Sequence, residues 1–261
     1  AFAEDGTGGA VQDVSTSEAL TAAIENSAVN TVKLAANIDI GSSLTVKRTV
    51  TLDLNGYVLK YDSADMGSVI VVEGGGNLTL TDSSTAAEHR FTPDTNGLWV
   101  LNEASGTETV AGGVITGGTG TDIATPGGTA WYRGGGALIK IGGSLTMKGG
   151  NIVGCTAQDG GGVCLDGLNG TVPFTMTGGS IAGCTAYEAE GGGVLVTNGT
   201  FTMSGGSIHH CTVIGKAISG GGVQIDNKGS FILSAGEIRA CKCIAARNRA
   251  RGGGVYVTQG C

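Results

Sequence analysis

Asp166 and Asp226 end two short runs, GGGVCLD (160–166) and GGGVQID (220–226), that are copies of one motif. Carboxylates repeated at one motif position suit acid–base work, because one can hold a proton while the other stays ionised. A copy between them, GGGVLVT (191–197), carries Thr197 at that position. If each copy is one rung of a stack, the two carboxylates stand two rungs, or about 9.6 Å, apart. Inverting glycosidases work with a separation of roughly 6.5–9.5 Å, so the spacing is compatible with glycan hydrolysis. An ordinary solvated face would carry the same charges, and no Arg or His is expected beside the pair to complete the set. Glu188 and Glu190, just before a triplet, are further carboxyls with no indicated partner.

His209, His210, Cys241 and Cys243 form a second cluster, and imidazole with thiolate is a zinc-like combination. Their spacing matches no ligand signature, and neighbouring residues of a strand point to opposite faces. No metal and no cofactor are expected. Cys155, Cys184, Cys211 and Cys241 recur once per copy and read as a column of small buried thiols. Disulfides between rungs would require local twisting, since stacked Cβ atoms lie farther apart than the preferred ~3.8 Å. Seven cysteines leave at least one thiol unpaired or bridging chains, and Cys261 reads as free.

Trp99, Trp131, Tyr132 and Arg133 fall in stretches that break the repeat, 82–110 and 119–133. Exposed aromatics there would suit stacking on sugars; equally, they could pin a long loop. Thr146, Thr175 and Thr202 form a T-x-T array like some ice-binding surfaces, but Lys148 and Ile232 interrupt it, and Thr is an ordinary outward strand residue.

The elements that position these groups come from an internal repeat. Glycine triplets open GGGALIK (134–140), GGGVCLD, GGGVLVT, GGGVQID and GGGVYVT (252–258), spaced 26, 31, 29 and 32 residues apart. In the same phase run LTMKGGNIVGCT, FTMTGGSIAGCT, FTMSGGSIHHCT and FILSAGEIRACK. Each unit holds three short runs with strand alternation and no room for a helix. The fold class expected is all-β: a right-handed parallel β-helix of about 29 residues per coil, each strand pairing with its copy one turn on. The triplets are its corners, where glycine tolerates positive φ and presents no Cβ to the next rung. Alternation sends Val163, Val194, Val223 and Val255 inward, with Leu165, Val196, Ile225 and Val257, and likewise Phe174, Phe201 and Phe231 with Met147, Met176 and Met203. The rows Leu138, Cys164, Leu195, Gln224, Tyr256 and Lys140, Asp166, Thr197, Asp226, Thr258 then point outward.

SEALTAAIEN (17–26) has helical spacing and a Ser/Thr-rich start, as a capping helix would. The expected organisation is a flexible start or export-signal remnant over 1–12 (Ala1 and Ala3 as an A-x-A site), a capping helix within 13–30, and the β-helix over 31–261. The chain stops at GGGVYVTQGC where FTMSGG should follow, so a further C-terminal segment of a longer protein is expected. Among 261 residues, 50 glycines, 40% hydrophobic and 14% charged residues suit a folded repeat rather than a disordered chain. A net charge of −7 argues against nucleic acid as partner, and no apolar run would insert in a membrane.

On TVKLAANIDI, SLTVKRTVTLDLNGYVL, SVIVVEGGGNLTLTD and the GGGVxV…GTFTMSGGSI units, the chain resembles bacterial adhesin-like surface proteins built from parallel β-helix repeats, a fold shared with pectate-lyase-like enzymes. The resemblance implies a secreted or cell-surface location and a structural repeat; it transfers no catalytic residue. Such repeats often have Asn after GGSI where this chain has Cys. Of the N-x-T triplets at Asn77, Asn169 and Asn198, the last two read as Asn-Gly turns. The expected function is non-enzymatic adhesion or display toward a carbohydrate or host surface, with Trp99, Trp131, Tyr132, Arg133, Asp166, Gln224, Asp226 and Tyr256 as contact residues. The alternatives are a polysaccharide lyase or glycoside hydrolase on the same scaffold, and an inert spacer.

Overall fold

A computed structural model of the chain describes residues 9–123, 130–167, 172–258 and 261. The export-site alanines and Asn169 lie outside the described residues. The chain coils into a parallel β-solenoid of about seven turns with about 29 residues per turn. One face stacks Leu44–Val46, Ile70–Val72, Ala137–Lys140, Val163–Asp166, Val194–Thr197, Val223–Asp226 and Val255–Val257, every neighbour parallel. A second face carries the FTM-type strands. A third carries Val58–Tyr61, Val114–Thr116, Asn151–Val153 and Ser180–Ala182. In the later turns these two run together as single strands, Thr200–His209 and Ser230–Arg239. A further sheet of Thr156–Ala157, Thr185–Glu190, Thr212–Ser219 and Lys242–Arg251 returns the chain to the next triplet.

In-register stacking puts like on like. Phe174, Phe201 and Phe231 form a ladder with ring centroids 4.6 and 4.9 Å apart and nearly parallel planes. Such pairs add about 0.5–1.5 kcal/mol each beyond burial. Cys155, Cys184 and Cys211 are fully buried free thiols, each donating to a carbonyl of the preceding turn (Cys211 to Ile181 at 3.5 Å), and Cys241 continues the column half-buried. Burial pushes the Cys155 and Cys211 thiols well up, away from thiolate chemistry.

The helix spans Ser17–Glu25 and closes one end of the core with Leu20, Ala23 and Ile24. Thr16 caps its start by accepting from Ala19 N, and Arg48 donates to the Ala23 and Ile24 carbonyls at its end. A strand, Ala10–Val14, precedes the helix and pairs with Val29–Leu34, so the sheet begins earlier than position 31.

The break at 82–110 is a three-stranded antiparallel flap of Glu88–Pro93, Trp99–Leu101 and Glu108–Ala111 lying on the third face. Its base is held by Asp82, which accepts from Gly56 N and Gly113 N at 2.7 Å. His89 donates from Nε2 to the Gly56 carbonyl at 2.9 Å, with Nδ1 2.7 Å from Glu103. Trp99 is 5% exposed, packed among Phe91, Val110, Val114, Val153 and Ala182. The expectation of an exposed, sugar-stacking Trp99 is therefore corrected: the indole is the anchor of the flap.

Candidate functional site

A candidate ligand site lies along the outer side of the first face, at the ends of the GGG strands. Before each triplet the returning chain crosses over the row Leu138, Cys164, Leu195, Gln224, Tyr256. The first glycine of each triplet makes this crossing possible. Gly191 has φ +66° and a Cβ on it would sit 2.9 Å from Leu195 Cβ; Gly220 has φ +65° and would sit 2.7 Å from Gln224 Cβ. The row is roofed in consequence. Leu138, Cys164, Leu195 and Gln224 are all 1% exposed or less, a correction to the expectation that they present an open face. Only Tyr256 in that row remains half-buried.

The residue just before each triplet forms one wall. Arg133, Asp159, Glu190, Ser219 and Arg251 stack rung on rung, linked by the Arg133–Asp159 bridge, the Gly160 N to Glu190 carbonyl bond and the pairings Glu190–Ser219 and Ser219–Arg251. The opposite wall is Lys140, Asp166, Thr197, Asp226 and Thr258; its first four members are in strand register and Thr258 bonds to Asp226. Between the walls the space is closed over Asp159, Asp166 and Thr197, which are all buried, and it opens as a groove toward Glu190, Arg251, Tyr256 and Thr258.

Its two ends differ. At one, Arg133 spans the walls, 3.1 Å from Asp166 Oδ1 through Nη1 and 3.4 Å from Asp159 Oδ2 through Nε. Trp131 donates from Nε1 to the same Asp159 oxygen at 2.5 Å, and Tyr132 N donates to Gln158 Oε1 at 2.8 Å. The expectation that no Arg or His stands beside Asp166 is thereby overturned. Asp166 is 8% exposed and ion-paired, and the Arg133 contact that holds it comes from the second excursion. Burial pushes the Asp159 carboxyl up, while Trp131 and Arg133 act against that. Trp131 and Tyr132 are half-buried parts of this closure.

Toward the other end the groove widens into a depression of about 220 Å³ lined by Glu190, Ser219, Arg249, Arg251, Tyr256 and Thr258. Arg251 Nη1 donates to the Tyr256 hydroxyl at 2.9 Å, and its guanidinium carbon lies 5.8 Å from the ring centroid. Thr258 donates to Asp226 Oδ1 at 2.7 Å. Burial first, then the nearby Asp226 and Asp159 charges, raise Glu190 to about 7, with Arg133 opposing. In the roofed row, Gln224 is fully buried, and neither its Oε1 nor its Nε2 finds a hydrogen-bond partner among the described residues. Asp166 and Asp226 stand in one register row but in different settings: Asp166 pairs with Arg133, and Asp226 accepts from Thr258. Sequence reasoning passed over Glu190, Asp159 and Arg251 as a set. The signal was present: each occupies the position immediately before a glycine triplet.

The His–Cys cluster separates. His210 adopts φ +54°, which swings both imidazoles to one side, with Nδ1 atoms 3.0 Å apart and both rings against Trp99. This corrects the expectation of opposite faces. Burial, Arg239 and His210 lower His209 to about 4. Cys241 belongs to the core column, and Cys243 Sγ donates to the Arg251 carbonyl at 3.5 Å. Among the described residues no group of three or more His, Cys, Asp or Glu is placed to hold a metal ion.

Comparison with known protein families, with curated proteins and with solved structures gives no match.

Proposed function

We propose that the chain is an exported, bacterial, adhesin-like surface coil that grips an extended glycan or host polymer in its lateral groove without transforming it. The depression beside Tyr256 carries this reading. It combines an aromatic ring, a guanidinium, a hydroxyl and a carboxyl in one concavity, the mix by which proteins hold sugars. No helix among the described residues is long and apolar enough to cross a membrane. The test is a glycan and mucin array probed with the purified chain. Dose-dependent binding that falls at least tenfold on Tyr256→Ala is expected; silence across the array would overturn the reading and favour a spacer.

One observation favours hydrolysis as the second reading: Glu190, held to about 7, faces the Asp226 charge, so one carboxyl can carry a proton while the other does not. Release of new reducing ends from a bound glycan, abolished by Glu190→Gln, would replace binding by catalysis.

A further inference from the structure

The wide end of the groove carries a charge pattern that selects among glycans. Arg249 and Arg251 both line the depression, and neither is within ion-pair distance of a carboxylate among the described residues. Two unneutralised guanidiniums side by side stand out in a chain of net charge −7. The polar partner of Arg251 is the Tyr256 hydroxyl, which leaves most of its five donors unused.

The acidic groups nearby do not cancel this charge. Asp226 is engaged by Thr258 and by Asn227 Nδ2 at 3.3 Å. Asp159 is taken by Arg133 and Trp131 at the closed end. Glu190 is held in part as the neutral acid through the neutral range by burial and by those same carboxylates.

Given that the groove holds a glycan, we infer that the depression between Glu190 and Tyr256 takes a carboxylate-bearing sugar, with the carboxylate clasped by Arg251 and Arg249. The guanidinium fork matches a planar carboxylate bidentately, which a neutral sugar cannot use. Ring hydroxyls would meet Glu190 and Thr258, while the sugar's apolar face meets Tyr256.

The experiment is isothermal titration of the full chain with a hyaluronan hexasaccharide and with the same oligosaccharide after reduction of its carboxyls to alcohols. The acidic form is expected to bind at least tenfold more tightly. Arg251→Met should remove that difference. Arg251 is exposed and outside the core, so the variant folds; Lys148→Gln, on the second face, is the control and should change nothing. Equal binding of the two oligosaccharides would overturn the acidic-sugar inference and leave the glycan reading standing. Failure of both, together with a silent array, would overturn the glycan reading itself. Retention of the preference in Arg251→Met would place the carboxylate elsewhere and refute the assignment.

Discussion

Glu190→Gln turns the electrostatics of the groove into a stability measurement. In the folded chain the Glu190 carboxyl is raised from 4.5 to about 7, through burial, Asp226 and Asp159. The folded state thus holds this proton more tightly than the unfolded state does. The resulting stability is fully present below about 4.5 and is lost as pH rises through about 7. Taken at face value, the shift corresponds to about 3 kcal/mol. Water reaches the half-buried carboxyl and screens it, so about 1–2 kcal/mol is the expected size.

Glutamine copies the protonated acid in shape and charge. Glu190→Gln should therefore be neutral near pH 4.5 and stabilise by about 1–2 kcal/mol at pH 8.5. Urea unfolding of both proteins at the two pH values gives the difference. A carbon-detected NMR titration, with the variant identifying the Glu190 signal, gives the carboxyl's own midpoint. An equal effect of the substitution at both pH values, or a midpoint near 4.5, would show that Asp226 and Asp159 do not act on Glu190 and that the groove lacks the coupling described.

Two further substitutions probe the scaffold. Arg133→Met strands Asp159 and Asp166, whose side chains are 6% and 11% exposed, without their cation. A loss of about 3–5 kcal/mol is expected in urea unfolding, and most of it should return when Asp159→Asn and Asp166→Asn are added. Phe201→Ala opens the middle of the aromatic ladder, where the ring is fully buried between Phe174 and Phe231, and should cost about 3–5 kcal/mol. Ile232→Ala on the neighbouring strand, 54% exposed, should stay within about 0.5 kcal/mol. Equal costs at 201 and 232 would contradict the inward assignment of the phenylalanine column.

The inward columns were legible because parallel stacking repeats one residue type per rung, and period-2 alternation then fixes which side faces the core. Val194 over Val223 and Phe174 over Phe201 needed nothing beyond the phase of the glycine triplets. The groove was only half legible. Asp166 and Asp226 could be placed in one row, but the wall opposite them is built from residues of the returning chain, where alternation is lost. That this chain roofs Gln224 rather than exposing it depends on the positive φ at Gly220, which the triplet permits without announcing.

The histidine pair shows how such a conformation can still be read. His210 occupies the motif position held by Gly154 and Gly183 in the preceding copies, and those glycines have φ +62° and +55° against +54° for His210 and for Ala240 one copy on. A left-handed position filled by glycine in two copies marks the backbone for all four. It follows that His209 and His210 do not alternate like strand neighbours. The same glycines explain where the flap docks. A Cβ on Gly183 would overlap the Trp99 ring, and one on Gly154 would strike the Trp99 carbonyl. Trp99 settles on the two rungs that lack a side chain there, its ring over Gly183 and its carbonyl over Gly154, and the imidazoles of the third rung close over the indole. The loop containing Trp99 is thus positioned by the repeat's own corner chemistry, which is why an aromatic that looked like a binding residue is instead part of the fold.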